Sequence, residues 1–189
     1  VDWNGFRFYD LIFPTFLFIV GVVLPFSLSQ YTNLDDAQQS RTRAYVRIFR
    51  RTLLLHVLGW IYNGMLELDL ADMRWPGVLQ RMGICYFFAA MAVMLFSVRG
   101  QVLLFAGLLG GYWAVLRFVP APGFAAFDLS QEGNLAGYID RLLLPGRFCC
   151  YKLGDNEGIL STFPAIATAI LGVLAGHWLR SERWPMAKT

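Results

Sequence analysis

Apolar residues fall in long blocks along this chain, and five of these blocks approach the length of a bilayer span. They cover about residues 8–28, 53–64 with flanks, 78–98, 102–119 and 158–179. A spanning helix needs about 20 largely apolar residues. The second block fits least well, because an arginine cluster crowds its start and His56 lies inside it. The pattern predicts an all-α integral membrane fold, a bundle of about five transmembrane helices.

A short amphipathic helix is predicted in the connection formed by residues 120–154. Its apolar side carries Leu135, Ile139, Leu142 and Leu143, and its polar side carries Asp140 and Arg141. We expect this helix to lie in the outer membrane interface. A loop helix that packs on the bundle is the alternative, since both settings require one apolar face.

Two pairs of glycines spaced four residues apart predict close packing of helices. Gly107 and Gly111 lie in the fourth block, and Gly172 and Gly176 lie in the fifth. Small residues at this spacing let helix backbones approach closely in lipid. The pairs predict contacts between helices and indicate no particular function.

The composition supports a membrane protein. Of the 189 residues, 57% are hydrophobic and 15% are charged, and the mean hydropathy is +0.49. A water-facing surface normally carries more charge than this. The three cysteines, Cys85, Cys149 and Cys150, have no metal-ligand spacing, so we expect packing residues and no metal site.

The distribution of charge predicts the orientation in the membrane. Five arginines lie between the first two blocks: Arg41, Arg43, Arg47, Arg50 and Arg51. By the positive-inside rule this side is cytoplasmic, so the N-terminus of the chain is predicted outside and the C-terminus inside. Because apolar blocks flank the arginines, we interpret them as a membrane-surface anchor and expect no nucleic-acid partner.

An odd number of spans that begins on the periplasmic or lumenal side requires something to carry residue 1 across the membrane. The chain has no initiator Met, basic leader or signal peptide. We therefore expect at least one helix before Val1. Residues 1–189 are interpreted as a single transmembrane domain that is incomplete at both ends.

Ionisable residues at the start of the first block suggest a site. Arg7 and Asp10 are three residues apart and share a helical face, close enough to pair. Charged side chains near the bilayer centre cost at least ~2.5 kcal/mol and are expected to face the bundle interior. Pro14 is expected to bend the helix here. Simple capping of a helix end is the alternative explanation.

Two later segments bring further polar side chains to the same predicted level. These residues are Asp72, Arg74, Gln80 and Arg81 around the start of the third span, and Asp155 and Glu157 at the start of the last. Asp155 suits the N-cap of its helix, which explains neither Glu157 nor an arginine at position 81. We predict a polar pocket beneath the outer surface. His56 is interpreted as a buried histidine satisfied by a backbone carbonyl.

At these residues the sequence resembles a known family in the order and spacing of its motifs. The motifs are DWNGFRFYDLIFPTFLFIVG, RWPGVLQRMGICYF, GYIDRLLLPG and DNEGILSTFPAIATAILGVLAGHWL. They resemble the membrane acetyltransferases typified by heparan-α-glucosaminide N-acetyltransferase and its bacterial relatives. Some of those bacterial relatives are labelled N-acetylglucosamine-associated inner-membrane proteins or transporters. The resemblance implies a larger protein of about eleven spans.

The resemblance also implies an activity and its partners. Acetyl-CoA would be the co-substrate, used from the cytoplasmic side, and an amino sugar or glycan would be acetylated on the far side of a bacterial inner membrane. The lipid bilayer is the other expected partner, and a homodimer stays an open alternative for the assembly. The family's catalytic histidine would immediately precede Val1 and is not in this chain.

Residue by residue, the resemblance implies the members of the site. The catalytic residues would be Asp10, Arg81 and Glu157, and the substrate-binding residues would be Trp3, Asn4, Arg74, Gln80 and Asp155. The family's Asp-Pro-Glu is replaced here by Asp155-Asn156-Glu157. Loss of the proline keeps both acids and makes the helix start less rigid.

Other classes of function stay open at this point. Polar residues at broken helices also mark substrate sites in carriers, so an inner-membrane N-acetylglucosamine transporter is the main alternative. A second polar layer that continues to the cytoplasmic side would favour a carrier. A purely structural membrane subunit is the third hypothesis, favoured if Asp10→Asn and Glu157→Gln changed neither activity.

Overall fold

A computed structural model describes residues 7–31, 37–68, 73–149 and 153–181. The six α-helices of these residues are α1 (Ile12–Leu28), α2 (Ala37–Tyr62), α3 (Val78–Leu95), α4 (Val98–Phe118), α5 (Leu135–Leu143) and α6 (Ile159–Arg180). No strand of a sheet occurs in these ranges, and a single isolated bridge joins Arg74 to Gly146. The prediction of an all-α fold is confirmed.

Four helical segments are long and apolar enough to cross a membrane. They are Phe8–Leu28, Val78–Leu95, Val98–Phe118 and Ile159–Arg180 among the described residues. The fifth long helix, α2, has 26 residues and extends about 39 Å. It begins at Ala37, well before the predicted second block, so the arginine cluster lies within the helix rather than before it.

Helices α1 and α6 pack in parallel through glycines. A Cβ on Gly172 would lie 2.1 Å from the carbonyl oxygen of Phe18, and one on Gly176 would lie 2.4 Å from that of Val22. From the other side, a Cβ on Gly21 would lie 2.0 Å from the carbonyl oxygen of Ala169. The predicted packing role of Gly172 and Gly176 is confirmed, because only a residue without a side chain permits this approach.

For Gly107 and Gly111 in α4 the same role stays a prediction, because neither makes such a contact with the described residues. A Cβ on either would have no described heavy atom within 4 Å. Helix α4 instead turns Leu104 and Leu108 toward the core shared with α6. The glycine spacing allows a close contact, but whether one forms depends on which face of the helix meets a neighbour.

The start of α1 is a 3-10 turn that leads into the α-helix. The 3-10 turn covers Phe8–Leu11, and the α-helix begins at Ile12. Pro14 therefore lies in the first turn of α1, where a backbone N–H has no intrahelical acceptor to lose. The bend expected at Pro14 stays a prediction.

Helix α2 runs antiparallel to α3 and reaches the end of the bundle at which α3 and α6 begin. We call this end the mouth. There the side-chain amide of Asn63 donates hydrogen bonds to the backbone oxygens of Arg74 at 2.9 Å and Pro76 at 3.1 Å. The mouth thus collects the segments before α3 and α6, which carry most of the predicted site.

The predicted loop helix is present as α5 and packs against α6. Leu142 and Leu143 are 67% and 59% exposed, whereas Asp140 is buried at 2%. The predicted apolar side is therefore divided, because Leu142 and Leu143 are exposed while Leu135 is buried at 7%. The membrane interface and the bundle surface both stay open as its setting. Cys149, in the connection after α5, is disulfide-bonded, which corrects its interpretation as a packing residue.

Candidate active site

One arginine at the mouth binds two carboxylates. Arg74, in the segment before α3, donates from Nε to Asp155 Oδ2 at 2.9 Å and from Nη2 to Asp155 Oδ1 at 2.5 Å. The same Nη2 donates to Glu157 Oε2. Two parallel N–H donors on one carboxylate form a charge-assisted, directional pair. Arg74 therefore ties the start of α3 to the turn before α6.

Asp155 is the more firmly held of the two acids. Its side chain is fully buried, and its carboxylate also accepts the backbone N–H groups of Cys149 at 2.8 Å and Glu157 at 2.9 Å. Burial acts to raise the pKa of Asp155, but hydrogen bonds from Arg74 and the two backbone groups outweigh it and lower this pKa. Asp155 is accordingly the ionised partner of Arg74.

The pKa of Glu157 is shifted in the opposite direction. Burial raises the pKa of its carboxyl, and the neighbouring Asp155 raises it further, against the opposing attraction of Arg74. The Glu157 side chain is 13% exposed and faces a cavity. A carboxyl with a raised pKa at the edge of a cavity suits proton transfer, whereas its ionised neighbour suits positioning.

Arg81 lies one turn inside α3 and is 9% exposed. Its Nη2 donates to the carbonyl oxygen of Gly158 at 3.3 Å and to Ser161 Oγ, and its guanidinium carbon lies 5.9 Å from the centre of the Phe13 ring. Its Nε has no hydrogen-bond partner among the described residues. Because a buried unpaired donor is unfavourable, this N–H suits the acceptor atom of a ligand.

A cavity of about 520 Å³ opens beside these groups. Its lining includes His56, Trp60, Trp75, Gln80, Arg81, Ile84, Phe88, Leu104, Leu108, Glu157 and Phe163. Within the described part of the chain, the buried Trp75 Nε1 and both side-chain polar atoms of Gln80 also have no hydrogen-bond partner. A few unsatisfied polar groups on an otherwise apolar and aromatic wall are typical of a small-molecule site.

Comparison with known proteins identifies relatives of the whole segment. No family model matches the chain. The heparan-alpha-glucosaminide N-acetyltransferase of Homo sapiens is 34% identical over 229 aligned residues, which include 94% of this chain. The enzyme of the same name from Mus musculus is 32% identical over 228 residues, again with 94% of this chain. The chain is therefore similar over most of its length to heparan-alpha-glucosaminide N-acetyltransferases.

This relationship confirms the family resemblance that the motifs predicted. The chain spans about a third of the length of these acetyltransferase relatives, 34% in each case. Together with its apolar helices, the relationship makes the chain an integral membrane polypeptide. Among the described residues, no group of three or more His, Cys, Asp or Glu side chains could hold a metal ion.

The structure places five of the predicted site residues at the mouth. They are Arg74, Gln80, Arg81, Asp155 and Glu157. Trp3 and Asn4 lie outside the described residues, as does Asp72. His56 also lines the cavity, and its Nδ1 lies 2.9 Å from the carbonyl oxygen of Thr52, as predicted for a histidine satisfied by backbone.

Asp10 is exposed at the start of the 3-10 turn and does not line this cavity. Its carboxylate accepts the backbone N–H of Arg7 at 2.7 Å, and no ion pair between these two side chains occurs in the described structure. This is the capping arrangement that was the alternative explanation. The described residues therefore give Asp10 a local structural role, and its catalytic role stays a prediction.

Sequence reasoning missed Asp140 as a residue of this region. The N-cap position of α6 is Gly158 rather than Asp155, and Asp140 Oδ1 of α5 accepts the first helical N–H, that of Ile159, at 2.9 Å. A helix cap supplied by a different helix leaves no spacing signal along the chain. The sequence showed Asp140 only as an acid on the polar side of a predicted amphipathic helix.

Proposed function

We propose that this chain forms the substrate cavity of a membrane enzyme that transfers an acetyl group from acetyl-CoA to the amine of an amino sugar. The observation that carries this proposal is the pair of unequal carboxyls at the cavity mouth. Arg74 holds Asp155 ionised, while Glu157 keeps a raised pKa and faces the cavity. The names of the two relatives supply the reaction class.

In this reaction the amine nitrogen bonds to the thioester carbonyl carbon, the carbon–sulfur bond breaks, and one proton passes from the amine to the departing sulfur. Ionised Glu157 would bind the amine and accept its proton, directly or through the histidine that the family resemblance implies. The free Nε–H of Arg81 would donate to the carbonyl oxygen as negative charge develops there. Asp155 and Arg74 would hold Glu157 in position.

The cavity lining suits a sugar ring at the mouth. Trp60 and Trp75 are in edge-to-face contact with ring centres 6.0 Å apart, and both line the cavity. Aromatic faces and unsatisfied amide groups together suit a ring that has apolar faces and hydroxyl edges. We assign sugar binding to Gln80 and Trp75, and keep Trp3, Asn4 and Asp10 as further candidates from the resemblance.

The half of α2 that lies far from the mouth suits the binding of a negatively charged acetyl donor. Arg43, Arg47, Arg50 and Arg51 line a second groove, of about 630 Å³, on the half of the helix far from the mouth. Guanidinium groups bind phosphate oxygens in a directional manner, so this groove suits the phosphates of CoA. Ordinary enrichment of arginine on the cytoplasmic side would place the same residues at the same end.

Acetyl transfer by the intact protein in liposomes tests the proposal. Radiolabelled acetyl-CoA and glucosamine should yield labelled N-acetylglucosamine, and Glu157→Gln should lower the rate by about 100-fold or more. Because the pKa of Glu157 is raised, the wild-type rate should fall, as the pH is lowered, at a higher pH than for an ordinary glutamate. Glu157→Gln should lose this pH dependence.

The matched control is Glu132→Gln, an exposed glutamate in the connection between α4 and α5. It should leave both the rate and its pH dependence unchanged. If the protein takes up sugar but transfers no acetyl group, the result would contradict the enzyme proposal and favour a carrier. Below Arg81 the described cavity wall includes Ile84, Leu104 and Leu108, with His56 as a polar side chain near Gly83. A carrier would need this polar route to continue toward the cytoplasmic side.

A further inference from the structure

Asp140 is a buried acid next to the candidate active site. It belongs to α5 and is 2% exposed, and it is absent from the lining of the cavity that Glu157 faces. Its Oδ1 accepts the N–H of Ile159 at 2.9 Å, and its Oδ2 accepts the N–H of Asp155 at 3.4 Å. Carboxylates are rarely this buried unless their oxygens are satisfied, and here backbone groups satisfy both.

The two N–H groups belong to the two ends of a single turn, residues 155–159. This turn carries Asp155 and Glu157, and the Gly158 carbonyl within it accepts a hydrogen bond from Arg81. One side chain thus fixes the first and last residues of the segment that presents Glu157. Its acceptors also face the N-terminus of α6, where negative charge is favoured.

Glycines allow α5 to come this close to the turn. A Cβ on Gly158 would lie 2.0 Å from Asp140 Oδ2, and a Cβ on Gly137 would lie 2.6 Å from the carbonyl oxygen of Leu153. Arg141 also donates to that Leu153 oxygen. A side chain at position 158 would push the carboxylate away, so the glycine and the acid act as a pair.

Burial raises the pKa of Asp140, and its two backbone hydrogen bonds oppose that effect. Burial outweighs these hydrogen bonds, so the pKa of Asp140 stays raised, and the two backbone N–H groups are contacts that favour the charged form.

We propose that Asp140 is a positioning residue that holds the 155–159 turn so that Glu157 faces the cavity. It touches no substrate and acts through backbone hydrogen bonds alone. The kinetic part of this inference rests on the proposed acetyl transfer, because it concerns how well Glu157 is placed. The structural part, the placement of the turn, can be measured independently of any activity.

The kinetic test compares Asp140→Ala, Asp140→Asn and Glu132→Ala in the intact protein in liposomes. Asp140→Ala should lower kcat about 10- to 100-fold per folded molecule, while KM for acetyl-CoA changes less than about threefold. Asp140→Asn keeps one acceptor oxygen for the Ile159 N–H but loses the acceptor for the Asp155 N–H, so it should recover part of kcat. Glu132→Ala, in the exposed connection, should match the wild type.

Hydrogen exchange supplies the readout that needs no activity. In Asp140→Ala the amides of residues 155–159 should exchange at least about tenfold faster, while those of α3 stay unchanged. If the wild-type protein transfers no acetyl group but this exchange result holds, the proposed function fails and the positioning role stands.

Gly158→Ala is the second variant, for the case in which Asp140→Ala does not fold. It should reproduce the lowered kcat and the faster exchange by displacing the carboxylate. The inference is overturned if exchange in the turn is unchanged, if Asp140→Asn is as impaired as Asp140→Ala, or if activity falls only in proportion to the amount of folded protein.

Discussion

At the scale of single residues, the site depends on how Arg74 is shared between two acids. Asp155 takes the bidentate contact and two further backbone N–H groups, whereas Glu157 takes only part of the arginine's charge. Two carboxyls separated by one residue therefore have pKa shifts of opposite sign. An ionised acid beside one with a raised pKa is a common arrangement in acid–base sites.

Removal of this arginine should destabilise the protein in a pH-dependent way. Because the pKa of Asp155 is lowered in the fold, its contribution to stability is present above the pKa of an unfolded aspartate and is lost as the pH falls through the folded value. Arg74→Ala should therefore lower stability by about 2–4 kcal/mol at pH 7, discounted for partial exposure, and by much less at a pH below the lowered pKa of Asp155.

Thermal unfolding in detergent at the two pH values measures this difference. Arg99→Ala, at an exposed arginine in the first turn of α4, is the control. An equal loss of stability at both pH values for Arg74→Ala would show that its ion pairs are not the cause.

At the scale of elements, α6 connects the scaffold to the site. Its first turn follows the Asp155 and Glu157 segment, and its middle packs on α1 through Gly172 and Gly176. It also contacts α3, α4 and α5. A shift of α6 along α1 would therefore move the turn that carries Glu157, so helix packing and site geometry are coupled.

Two glycine substitutions should distinguish a helix face that packs against another helix from one that contacts no described residue. Gly172→Ala places a Cβ 2.1 Å from the Phe18 oxygen, so α1 and α6 must move apart, at a cost of about 1–3 kcal/mol. Gly107→Ala meets no described atom within 4 Å and should be neutral or stabilise α4 by up to about 1 kcal/mol. Thermal stability in detergent compares the two variants, and equal losses would refute the α1–α6 contact.

At the scale of the whole molecule, the two ends of the bundle are chemically different. The mouth holds the acids, Arg74 and the entrance to the cavity, while the far half of α2 carries the exposed arginines. Because arginine is retained preferentially on the cytoplasmic side, this asymmetry predicts that the mouth faces away from the cytoplasm.

Labelling with a membrane-impermeant thiol reagent tests this orientation in intact cells. Glu132→Cys, in the connection near the mouth, should be modified from outside, whereas Arg43→Cys should react only after the membrane is permeabilised. The wild-type protein provides the background from its own cysteines. The reverse pattern of labelling would invert the predicted topology.

The sequence by itself determined the membrane class, the number of long helices and most residues of the polar cluster at the mouth. These follow from local properties: apolar length for the spans, and polar motifs at their ends for Arg74, Arg81 and Glu157. The start of α2 was not predicted, because the spans were located by the length of apolar runs and the first part of α2 is rich in charged residues. The motif that contains Asp10 did not determine whether its side chain lies with Arg81 and Glu157.

Only the tertiary structure decided which neighbours each residue has. It separated Gly172, which meets α1, from Gly107, which meets no described helix. It also revealed that Asp140 caps α6 and supports the Glu157 turn from a different helix. The physical reason is that spacing along a chain fixes which residues share a face of one helix, whereas contacts between helices depend on how separate elements pack in three dimensions.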